Sequence, residues 1–98
     1  MREPLTSVTI KRVEGDRFHS TIWAVIREDG ALEVQRSDYG PLPEEVWGRD
    51  EYEYNVAVPA GYKDTVLLLL MQEAAREDTA FRAWLEAHGI PFETSSRP

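Results

Sequence analysis

Apolar and polar residues alternate with a period of two through the first half of the chain and with a helical period near its end. Residues 6–13 are rich in β-branched side chains. Val8 and Ile10 fall on one side, with Ser7, Thr9 and Lys11 on the other, as in a half-buried strand. Residues 14–17 (EGDR) read as a turn. A longer strand follows over 18–28, with Phe18, Ser20, Ile22, Ala24 and Ile26 on its inner side and His19, Thr21, Trp23 and Val25 on its outer side. Asp29-Gly30 then predicts a hairpin, because glycine accepts positive φ. A third strand runs over 31–36, with Leu32 and Val34 facing inward.

Residues 43–48 (PEEVWG) have the marks of one helical turn: proline first, Glu44 and Glu45 at the positive end of the helix dipole, and glycine after the end. The next stretch alternates cleanly. Tyr52, Tyr54, Val56 and Val58 share one side of a strand, and Glu51, Glu53, Asn55 and Ala57 share a solvated side.

Pro59 and Gly61 break this strand, and a helix is expected from Asp64 to about Glu77. Its run Val66–Met71 is apolar nearly all round, which predicts a helix in the middle of the structure, covered on more than one side. Asp78 suits the N-cap of a last helix over 79–88. There Phe81, Trp84, Leu85 and His88 form an apolar stripe that assigns Trp84 to the core, and Gly89 stands where a left-handed residue ends a helix.

Strands first and helices after predict an α+β domain: an antiparallel four-stranded sheet in β-β-β-β-α-α order with two C-terminal helices packed on one face. The 98 residues suit a single compact domain, frayed at about 1–5 and 94–98. No repeat or linker interrupts them. The longest apolar run, six residues, is far below the ~20 needed to span a bilayer. No apolar stretch near residue 1 suits a signal peptide, and there is no cysteine, so a reducing, cytoplasmic setting without membrane association is expected.

Charge adds direction. The formal net charge is −7, and residues 38–53 hold Asp38, Glu44, Glu45, Asp50, Glu51 and Glu53 against Arg49 alone. Such a chain is not expected to bind nucleic acid through phosphate contacts, which need clustered lysine and arginine.

Catalytic patterns are missing. The histidines, His19 and His88, have no metal-ligand spacing, and residues 50–53 (DEYE) lack the glycine turn of a calcium loop. None of the serines sits in a nucleophile elbow, and no glycine-rich loop could cradle a phosphate. His19 and Ser20 point to opposite faces of one strand. Glu51 and Glu53, roughly 6–7 Å apart along the strand, face water. His88 in the last helical turn complements the negative end of its helix dipole. A non-catalytic protein without metal or cofactor is expected.

The remaining signal is a surface. Trp23 and Val25 lie on the outer sheet face, either exposed or covered, by a curl of the sheet or by residues 38–48 folding over with Trp47 packed on Trp23. Apart from them, the acidic stretch forms an edge that offers Tyr39, Glu44, Glu45, Trp47, Asp50, Glu51 and Glu53. Aromatic anchors supply binding energy while carboxylates steer a basic protein partner. This suits an inhibitor, an immunity protein or an antitoxin-like protein. Two alternatives stay open: a small-molecule or accessory domain with a pocket between sheet and helices, and a homodimer through the outer sheet face. The C-terminal half looks like many short bacterial proteins, a likeness that gives no residue a role.

Overall fold

The computed structural model describes residues 2–41 and 51–96. Four antiparallel strands form one sheet and two helices follow, an α+β fold. The chain groups into two compact units, a sheet unit of residues 5–64 and a helical unit of residues 1–4 with 65–98. Among the described residues no helix is long and apolar enough to cross a membrane.

The strands are β1 (Ser7–Glu14), β2 (His19–Ile26), β3 (Leu32–Tyr39) and β4 (Glu51–Val58), joined in a meander with β1 and β4 at the edges. Residues directly opposite in an antiparallel pair share a face, so the register sorts the whole sheet. One face is mostly apolar: Ala24 pairs with Val8 and Val34, Leu32 with Ile26 and Val58, and Val56 with Val34. The central strands β2 and β3 carry the half-buried and buried residues, whereas β1 and most of β4 are exposed.

Three local features differ from the sequence reading. The register of β1 shifts between Thr9 and Lys11, a bulge at Ile10 that puts Lys11 opposite Ile22 and Val13 opposite Ser20. Lys11 therefore shares a face with Val8 rather than with Thr9. An extra residue reverses the alternation beyond it, and this is how Val8 and Val13, an odd number of positions apart, reach the same apolar face.

The β2–β3 turn is a three-residue loop closed by Arg27 N–H to the Ala31 carbonyl at 2.8 Å and Gly30 N–H to the Arg27 carbonyl at 2.9 Å. Only Gly30 takes positive φ (87°). This is the longer hairpin loop with a left-handed glycine, not the two-residue turn in which both central residues have positive φ.

The third difference is that β3 runs three residues past Arg36, so Ser37, Asp38 and Tyr39 are strand.

The first helix, α1 (Ala60–Ala74), starts directly after Pro59, earlier than expected. Proline and glycine are tolerated there because first-turn N–H groups have no intrahelical acceptor. No residue of α1 is buried, and Leu67, Leu68, Leu69 and Leu70 are each more than half exposed, in contrast to the covered helix expected from their sequence. A Cβ added at Gly61 would meet nothing within 4 Å. Gly61→Ala is therefore expected to stabilise the fold by about 0.5 kcal/mol, read as a higher urea midpoint. An unchanged or lower midpoint would count against a helical Gly61.

The second helix, α2 (Asp78–Ala87), has Glu77 rather than Asp78 as its N-cap, in extended geometry. It ends as the sequence indicates. Gly89 takes φ 66°, its N–H reaches the Glu86 carbonyl, and Ile90 N–H reaches the Leu85 carbonyl at 3.0 Å. That pair of bonds satisfies the Glu86 and Leu85 carbonyls. His88 Nδ1 donates to the Trp84 carbonyl at 2.8 Å, the capping role expected of it. Trp84 is not core: it is about half exposed (51%), and its ring stacks on His88 at 4.2 Å.

Candidate protein-binding face

Four of the eight residues nominated from sequence, Glu44, Glu45, Trp47 and Asp50, lie outside the described residues. So do the helical turn expected over 43–48 and the contact between Trp47 and Trp23. The other four, Trp23, Tyr39, Glu51 and Glu53, fall on one face of the sheet, opposite the apolar one. Glu51 pairs with Tyr39, Glu53 with Ser37, and Trp23 with Thr9 and Gln35.

The same register brings in two residues that the sequence reading left out of the site. Glu14, His19, Tyr39 and Glu51 are consecutive partners across all four strands. They form a row about 14 Å long, three strand spacings of ~4.8 Å. The His19 and Tyr39 rings stack within it, centroids 4.7 Å apart and planes inclined by 14°. Their separation matches the strand spacing, so the rings stand upright on the sheet, face to face. The next row holds Arg12, Thr21, Ser37 and Glu53, and the one beyond it Thr9, Trp23, Gln35 and Asn55. Trp23 is half-buried, so the fully exposed alternative does not hold for it.

Carboxylates dominate the charge of this face: Glu14, Glu33, Glu51 and Glu53 stand against Arg12 among the described residues. Glu33 is already engaged. Gln35 Nε2 donates to its Oε1, and Arg27 lies 3.5 Å from its Oε2 while also pairing with Asp29 at 3.3 Å. Glu14, Glu51 and Glu53 are exposed. Their negative potential therefore lies at the end of the sheet where Tyr39 and Glu51 meet.

Behind this end, on the apolar face, Arg36 Nε donates to Asp38 Oδ2 at 2.9 Å. The Asp38 side chain is completely buried, and its Oδ1, like His19 Nδ1, has no hydrogen-bond partner among the described residues. Gly40 fixes how the chain leaves this corner. It takes φ 124°, and a Cβ there would lie 2.5 Å from the Arg17 carbonyl oxygen.

Elsewhere, an open groove of about 690 Å³ in the helical unit runs between α2 and the segment after it, lined by Phe81, Arg82, Leu85 and Phe92 among others. Among the described residues no group of three or more His, Asp or Glu side chains is placed to hold a metal ion. No family model, curated protein or solved structure matches the chain.

Proposed function

We propose that the protein is a small, non-catalytic binding module that engages a basic protein partner through the polar face of its sheet and the acidic stretch at residues 38–53. The observation that carries this reading is the convergence of Tyr39, Glu51, Glu53 and Trp23 on one face, with Glu14 added by the register. Half-exposed Tyr39 supplies a rigid contact surface. The carboxylates around it accelerate encounter with a basic surface and disfavour acidic ones. An inhibitor, immunity or antitoxin-like role fits this chemistry, and the lack of cysteine suits a cytoplasmic setting.

Reversing three charges, Glu44→Lys, Glu51→Lys and Glu53→Lys, tests the reading. The wild-type chain, immobilised and exposed to lysate, is expected to retain a basic protein at low salt and release it at high salt. The triple variant is expected to retain at least about tenfold less of that same protein, since several steering and contact charges reverse together. Equal retention by both would sink the proposal.

A further inference from the structure

We propose that Tyr39 and Glu51 form a seat for an arginine side chain of the protein partner. This rests on the acidic-face reading and specifies the group it recognises. Four observations lead there.

The Tyr39 ring is held on one side by His19, 4.7 Å away and nearly parallel. Because that stack points from β3 towards β2, the other face of the ring is turned towards β4, where the paired residue is Glu51. Tyr39 is 49% exposed, and Glu51 is exposed beside it. The row ends in a carboxylate on both sides, Glu14 on β1 and Glu51 on β4, with Glu53 two residues further along the same face.

An aromatic ring fixed upright at one strand spacing from a carboxylate suits one cation better than the other. A guanidinium is planar and weakly hydrated, so it can lie against the open face of Tyr39 as a third layer on the His19–Tyr39 stack. In that position its forked N–H donors meet the Glu51 carboxylate edge-on. A lysine ammonium is compact and strongly hydrated. It can pair with Glu51 but gains little from the ring. His19 is a positioning residue here: it props the ring from behind and does not touch the ligand.

The test uses the full chain and two peptides of equal charge, acetyl-(Gly-Arg)₄-amide and acetyl-(Gly-Lys)₄-amide, titrated at low salt. The arginine peptide is expected to bind about fivefold tighter, the range a partly exposed cation–π contact supports. Tyr39→Phe keeps the ring and should keep this ratio. Tyr39→Leu should bring it close to one, while charge-driven binding of both peptides persists.

Should Tyr39→Leu fail to fold, the wild-type chain still decides the matter. The arginine Cδ protons of a labelled peptide must shift upfield under the tyrosine ring current, and an absent shift overturns the seat. Equal affinities of the wild type for both peptides, or a ratio that survives in folded Tyr39→Leu, also overturn it. If both peptides bind equally and the triple charge reversal abolishes binding, the seat falls and the acidic face stands. If neither peptide binds, both fall.

Discussion

Arg36→Met is expected to destabilise the sheet by about 3 kcal/mol, the lower end of the loss seen when a buried ion pair is broken from one side. The reason is asymmetric burial. The Asp38 side chain is completely buried, whereas that of Arg36 is 44% exposed. Removing Asp38 would leave a guanidinium that water can still solvate. Removing Arg36 leaves a buried carboxylate whose Oδ2 has lost the charged partner it has among the described residues and whose Oδ1 has no partner among them. A carboxylate in that position carries nearly its full desolvation penalty. For a chain of this size the loss corresponds to a fall of roughly 12–24 °C in Tm. Introducing Asp38→Leu into the same variant removes the stranded charge and should recover most of the loss, since apolar replacements of buried ion pairs are often neutral. Urea denaturation of the three proteins checks this. A single variant within about 1 kcal/mol of wild type would show that the carboxylate does not depend on Arg36.

Asp38 also marks the limit of what sequence alone can reveal. In a linear reading it belongs to an acidic stretch and counts towards a surface. Pairing with Ser20 on one side and Tyr52 on the other puts it on the apolar face, while its neighbour Tyr39 is left outside. Ser37-Asp38-Tyr39 has the composition of a turn, yet it is strand because β2 and β4 offer backbone partners on both sides. Tertiary pairing overrides a weak local preference there. The bulge at Ile10 is hidden for a related reason: it lies inside a run whose alternation looks regular up to that residue.

Features set by a few adjacent residues were legible. The Asp29-Gly30 hairpin, the two sides of β4, the glycine at the end of α2 and the capping role of His88 all depend on chemistry within one turn or one strand. Burial along β4 does not follow those sides: Tyr54 and Val56 on its apolar side are exposed. The pairing of β1 with β2 and of β2 with β3 follows from their short connections, which make sequential strands antiparallel neighbours. The face carrying Trp23, Glu51 and Glu53 was half legible. Each strand revealed its own two sides, but joining Glu14 and His19 to Tyr39 and Glu51 needed the register of three pairings at once. Trp84 misled because a stripe at helical spacing says which residues share a side of a helix. It does not say that the side is covered.

Gly40→Ala is expected to cost about 2–5 kcal/mol and to disturb the proposed binding row as well as the fold. Two penalties coincide at this residue. Its φ of 124° is one that L side chains rarely adopt, and the added Cβ would lie 2.5 Å from the Arg17 carbonyl oxygen, 3.1 Å from the Arg17 carbonyl carbon and 3.3 Å from Phe18 Cα. All three atoms are backbone, so no side chain can rotate away and relieve the clash. Either the end of β3 or the chain entering β2 must move, and those two segments carry Tyr39 and His19. The ring stack should therefore loosen along with the fold. Gly15→Ala is the matched control: its Cβ would lie 3.6 Å from the Phe18 carbonyl oxygen, an ordinary contact, and its φ is not positive. That variant should stay within about 1 kcal/mol of wild type. Urea denaturation measures the energies, and the ring-current shifts of the His19 protons report the stack. A Gly40→Ala protein with wild-type stability and unshifted His19 resonances would mean that the chain leaves β3 by another path. The His19–Tyr39 row would then lack the rigid corner on which an arginine seat depends.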